Sequence, residues 1–152
     1  MAEQGVAGVW RRIRSIYNIQ GNKCETCKTF YFPPRPVCPE CRRKGRLVDY
    51  QFKGLGSIYS FAIVRQAPED FKRQIPYVIA QVELDEGTRL TAQIVNVDPE
   101  DVKIGMRVRA CFRKIKEFGH GGVIVYGYKF EPTMKVTGHD LKKDQKSSSV
   151  TK

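Results

Sequence analysis

Little in this sequence suggests catalysis. Only two histidines are present, His120 in a glycine-rich stretch and His139 near the C-terminus, and neither is placed as a metal ligand or a general base. No GxSxG elbow, P-loop or dinucleotide fingerprint occurs, and GHGGV resembles a phosphate cradle only in its glycines. No apolar run approaches the roughly eighteen residues of a membrane span. The opening MAEQGVAGVWRRIRS is too short in apolar run and too charged for a secretory leader. A cytoplasmic chain is expected.

Acidic residues are also scarce, 16 against 27 Lys and Arg, giving a net charge of +11. The surplus is uneven. Residues 1–49 carry ten basic against four acidic residues, 50–131 carry twelve against ten, and 132–152 carry five against two. The middle is nearly neutral, and the basic ends favour polyanionic partners such as nucleic acid, a phosphate-rich cofactor or an acidic protein surface. Apolar residues make up 41% of the chain, enough for a folded core.

Four of the five cysteines lie in CETCKTFYFPPRPVCPEC. Cys24, Cys27, Cys38 and Cys41 form two CxxC pairs, a spacing that reads as metal binding in a reducing compartment rather than as a secreted disulfide framework. Two knuckles can complete a tetrahedron of thiolates around Zn2+, with iron in a rubredoxin-like site as the chemical rival and redox disulfides as a weaker one. Four protein sulfurs leave no open position for water or substrate, so the expected role is structural. The ion stands in for a core that about thirty residues cannot build.

Between the pairs, Phe30-Tyr31-Phe32-Pro33-Pro34-Arg35-Pro36 is stiffened by its prolines. Phe30 and Phe32 are read as cover that packs the ribbon on its neighbour, although three aromatics beside an arginine could also receive a flat apolar group and an anion. Ahead of this segment, Val6, Val9, Trp10, Ile13 and Tyr17 fall near helical spacing and predict a short amphipathic helix over 6–17. That helix either docks on its own domain or offers Trp10, with Arg11 and Arg14, to a partner.

Beyond residue 50 the period changes. GSIYSFAIV, PYVIAQVEL, TRLTAQIVNV, MRVRACFRK and GVIVYGYKF are rich in β-branched and aromatic residues. Val78, Ala80, Val82 and Leu84 share one face of their strand, and Val108, Ala110 and Phe112 share one face of theirs. Asp85-Glu86-Gly87 predicts a hairpin turn, Glu117 to Gly122 predicts a second glycine-rich connection, and DPEDVKIG predicts a longer link with a helical turn after Asp98. The polar QAPEDFKRQ is an insertion of possible functional use. The chain is therefore expected to be mostly β: an N-terminal helix segment (1–20), a four-cysteine zinc ribbon (21–49), a five-stranded OB-fold barrel (50–131) and a basic, disordered tail (132–152). Cys111 is expected to be a small inert hydrophobe; flanking Arg109 and Arg113 give the alternative of an activated thiol.

With GLGSIYSF, PYVIAQVELDEGTRLTAQIV and DPEDVKIGMRV, the cysteine segment resembles the zinc-ribbon/OB-fold proteins long catalogued as a domain of unknown function and linked to thiolase-like acyl-CoA enzymes. The likeness covers about residues 6–131. Some relatives lack ribbon cysteines, whereas this chain keeps all four; Lys28 stands where many have glycine. The overall pattern looks most like the archaeal type. That resemblance implies a non-catalytic scaffold joining acetoacetyl-CoA thiolase to 3-hydroxy-3-methylglutaryl-CoA synthase in mevalonate synthesis, in a hetero-oligomeric complex sharing coenzyme A or acyl-CoA. Tyr31, Pro34 and Arg35, then Arg65 and Arg113, are candidate CoA contacts on grounds of charge and aromaticity. Two readings compete with the scaffold. One is single-stranded nucleic-acid binding, for which a barrel surplus of two charges is a weak electrostatic track. The other is an enzyme using Cys111.

Overall fold

The computed structural model describes residues 6–117 and 124–133. The expected tail from 134 onward, both histidines, most of the Glu117–Gly122 connection and the side chains of Val6 and Val9 lie outside the described residues.

The expected helix is present as two six-residue segments, α1 (Val6–Arg11) and α2 (Ile13–Asn18). The break falls at Arg12, whose φ of −104° and ψ of 2° interrupt the helical ladder. Ile16 of α2 lies against Gly127, where a Cβ would come within 2.6 Å of Ile16 Cγ2 and 2.4 Å of Ile115 Cδ1. Glycine there lets the helix sit directly on the sheet.

Strands β1 (Gln20–Cys24), β2 (Phe30–Tyr31) and β3 (Leu47–Gln51) form an antiparallel sheet in the order β2-β1-β3. Asn22 pairs with Tyr31 on one side and with Asp49 on the other. Phe52 follows at once and is buried in the next domain's core, so ribbon and barrel share one hydrophobic cluster.

The barrel comprises β4 (Leu55–Val64), β5 (Tyr77–Leu84), β6 (Arg89–Ile94), β7 (Arg107–Glu117) and β8 (Ile124–Pro132), closed in the order β4-β5-β6-β8-β7. Four strand pairs are antiparallel; β6 and β8 meet in parallel at Ile94 and Phe130, which is the Greek-key closure of an OB-fold. Val78, Ala80, Val82 and Leu84 are each at most 2% exposed, as their alternation predicts. The Asp85-Glu86-Gly87 turn is present, with Gly87 at φ +88°. A short 3-10 helix occupies Pro99–Asp101, in the link where a helical turn was expected, and another, Glu69–Gln74, lies in the polar insertion.

One alternation fails. Val108 is fully buried and Ala110 half-buried, but Phe112 is 53% exposed. The reason is tertiary: β7 pairs with β4 only from Arg107 to Arg109, then continues with β8 alone as a two-stranded arm. Once the strand leaves the barrel, its inward parity no longer points at a core. No described helix is long and apolar enough to cross a membrane.

Candidate metal centre and neighbouring surfaces

β1 delivers Cys24 to the first knuckle, and the same turn is built twice. Lys28 N donates to Cys24 O at 2.9 Å and Arg42 N to Cys38 O at 2.8 Å. Lys28 and Arg42 both sit in the left-handed region, at φ +63° and +51°. Lys28 therefore adopts the conformation that glycine would favour there. Gly45 closes the second loop over the site: a Cβ at this position would lie 2.6 Å from Cys38 Cβ and 3.0 Å from Cys41 Cβ.

These turns bring the four sulfurs within 4.8 Å of one another, with Cys27 Sγ and Cys38 Sγ 3.6 Å apart. A tetrahedron with Zn–S near 2.3 Å has edges of about 3.8 Å, so the cluster matches a zinc site. It does not match disulfides, whose sulfurs are about 2.05 Å apart. Cys24 and Cys38 are buried, while Cys27 and Cys41 are half-buried. Hydrogen bonding, chiefly from Thr29, draws the Cys27 thiol down to about 6. The Tyr31 hydroxyl, 3.4 Å from Cys38 Sγ, lowers the Cys38 thiol, whereas burial pushes Cys41 up to about 12. Without a cation, Cys27 and Cys38 ionise more readily and Cys41 resists; a divalent ion would offset that resistance by supplying a counter-charge to the buried thiolate. The residues fit the metal.

The loop between the knuckles is held from below. Asn22, a buried polar residue that sequence reasoning missed, donates from Nδ2 to Arg35 O at 2.7 Å and accepts from Arg35 N at 3.2 Å. Arg35 places its guanidinium 5.7 Å from the Tyr31 ring centroid. Phe30 and Phe32 pack against Tyr50, Phe52 and Tyr128, as the covering role predicted. Of the candidate CoA contacts, Tyr31, Pro34 and Arg35 are thus together in one loop, with Tyr31 turned toward the sulfurs. Arg65 lies elsewhere, paired with Glu100 at 3.0 Å. Arg113 is exposed on the β7 arm.

Beyond these, a groove and the Phe112–Tyr126 stack were not legible in the sequence. A groove of about 370 Å³ lies where α2, the Phe32-Pro33 turn and β6 meet, with Arg12 and Arg89 on its walls. Trp10, on α1, is 74% exposed, as the partner reading of the helix requires. Tyr17 meets Phe112 edge-on at 4.9 Å, and Phe112 stacks on Tyr126 at 5.6 Å. All three of these rings remain partly in solvent. Arg11 and Arg14 are exposed on the same helical segments. Cys111 is half-buried, and desolvation, reinforced by Glu131, pushes its thiol up despite Arg113 and Lys129. It is a poor nucleophile at neutral pH.

Comparison with known proteins agrees with this architecture. Residues 20–47 match the profile of the ChsH2 rubredoxin-like zinc ribbon domain, and residues 49–113 that of the ChsH2 C-terminal OB-fold domain. A DUF35 domain-containing scaffold protein of Methanocaldococcus jannaschii is 50% identical over 132 residues, covering 87% of this chain and 94% of that protein. Its counterpart in Methanothermobacter thermautotrophicus is 49% identical over 123 residues, covering 81% of this chain and 92% of that protein. Among solved structures, the Ltp2-ChsH2(DUF35) aldolase superposes with a TM-score of 0.61 at 29% identity, covering 83% of this chain and 89% of that one. With both halves matched in order and the four ribbon cysteines assembled, the chain belongs to the DUF35 family of ChsH2-type zinc-ribbon/OB-fold proteins.

Proposed function

We propose that this protein is a non-catalytic scaffold subunit that bridges acetoacetyl-CoA thiolase and 3-hydroxy-3-methylglutaryl-CoA synthase and helps an acyl-CoA intermediate pass between them. The observation that carries this reading is a closed four-sulfur site together with a solvent-facing aromatic surface on the same chain: the first offers no position for substrate, and the second has the composition of an interface core. The scaffold names of the archaeal relatives and the aldolase complex of the structural neighbour support it.

In this reading Cys24, Cys27, Cys38 and Cys41 hold Zn2+, which supplies a structural cross-link and no reaction chemistry. Trp10, Tyr17, Phe112 and Tyr126 supply the docking surface, and Arg11 and Arg14 steer it toward an acidic partner face. Coenzyme A, with its phosphates and slender pantetheine arm, suits Arg35 on the rigid loop and the groove flanked by Arg12 and Arg89; Arg65 and Arg113 are further contacts from the charge argument.

The test is recovery of a tagged chain at native expression level from its own cells. Thiolase and synthase should both be recovered in stoichiometric amounts. Recovery of neither overturns the bridge, and recovery of one alone reduces it to an accessory subunit of that enzyme.

A further inference from the structure

The outer face of the barrel carries a second groove, of about 400 Å³, across β5, β6 and β8. Its size falls in the ordinary range for small-ligand sites. Ile16, Phe71, Tyr77, Ile79 and Ile115 make its walls apolar, and Lys129 lines it from β8. Lys129 is the unusual feature. It is 7% exposed, more buried than any other lysine or arginine among the described residues. No hydrogen bond or ion pair reaches its ammonium within the described residues. The carboxylate next on the same face, Glu131, is already taken by Arg109 at 2.8 Å and by Asn96. Arg113 adds like charge; the strand partner Cys111 favours the ammonium only as a thiolate, a form its own desolvation opposes. Burial accordingly lowers the Lys129 pKa.

The Lys129 side chain is largely withdrawn from water, yet its Nζ is not a fully buried orphan atom and so keeps an opening. An ammonium so placed without a counter-charge is costly, and the cost falls where something else completes the pair. We propose that this groove binds a slender apolar monocarboxylate, its chain along the isoleucine and aromatic walls and its carboxylate on the Lys129 ammonium. Thr91, exposed at the groove's edge, and the Gln93 amide, bonded to Gln74 at 3.2 Å, bound the polar end. The site is separate from the metal, and it shares Ile16, Thr91 and Tyr128 with the groove flanked by Arg12 and Arg89.

Octanoate is the probe, titrated into the purified full-length chain by calorimetry with amide-shift mapping. It should bind at one saturable site with shifts centred on Tyr77, Ile79 and Lys129. Acetate, lacking the chain, should not bind, and octan-1-ol, lacking the charge, should bind about tenfold more weakly or worse. Lys129→Met keeps the apolar stem and should reduce octanoate to the affinity of octanol. Ile79→Glu, on a side chain that is 36% exposed, should block both ligands without touching the core. Octanoate that binds no better than octanol, that is indifferent to Lys129→Met, or that is unaffected by Ile79→Glu overturns the proposal. So does the absence of any saturable binding.

Discussion

Thr88 Oγ1 donates to Phe30 O at 3.1 Å, joining the hairpin between β5 and β6 to the ribbon's shortest strand across 58 residues of sequence. Thr88 is a buried polar residue and Phe30 is half-buried, so the bond is partly withdrawn from water. It ties the metal-bearing ribbon to the barrel alongside the Phe52 cluster.

Thr88→Val keeps the shape and removes the donor. Leaving the Phe30 carbonyl unmatched should destabilise the fold by about 1–3 kcal/mol, read as a lower urea midpoint, while Thr88→Ser recovers most of the loss. A neutral Thr88→Val would mean that the bond does not couple the two domains.

One metal ion per chain is expected by elemental analysis. Chelation, or Cys38→Ser, should erase the amide signals of residues 20–51 while those of the barrel persist. Gly45→Ala is the subtler variant. Its methyl would intrude on the Cys38 and Cys41 Cβ atoms at 2.6 and 3.0 Å, so metal should transfer to a competing chelator at a markedly lower chelator concentration. Equal retention by wild type and Gly45→Ala would contradict the close approach.

Phe112→Asp should abolish enzyme recovery with little change in thermal stability, because the ring is 53% exposed and stacks only on other partly exposed rings. Truncated hot-spot aromatics typically lose 2 kcal/mol or more of binding, about thirtyfold. Undiminished capture of both enzymes by the Asp variant would move the docking surface elsewhere.

Arg107 grips Asp85 through two hydrogen bonds, at 2.7 and 2.9 Å, and holds its carboxyl below the ordinary range. A carboxylate with a lowered folded pKa stabilises above its unfolded value, near about 3.9, and loses that contribution as pH falls through the folded value. Asp85→Asn should therefore be less stable than wild type at neutral pH, and the gap should close in the acid range below about pH 4. The gap is small, since the pair is roughly half exposed and salt screens it. A gap that widens on acidification would reverse the assignment.

What could be read in advance follows a physical division. The metal ligands were legible because knuckle geometry is local, two cysteines three residues apart with the turn between them. The β5 face was legible because its strand is paired over its full length inside the barrel, so period 2 translates directly into burial. Phe112 obeys the same period yet faces solvent, because the sequence of β7 carries no mark of where β4 stops pairing with it. Asn22, Thr88 and Gly45 were overlooked for a related reason: each is defined by a partner that only the folded topology brings close. Arg12 and Arg89 belong to separate elements and make a groove only once α2 lies on the barrel.

The place of β8 has a consequence for biosynthesis. The last strand among the described residues, it is wedged between β6 and β7, so the ring cannot shut until residues 124–132 have emerged from the ribosome. The four sulfurs and all three ribbon strands are translated well before that. Ion capture can thus run ahead of barrel closure, and a nascent chain halted after β3 should already carry its metal.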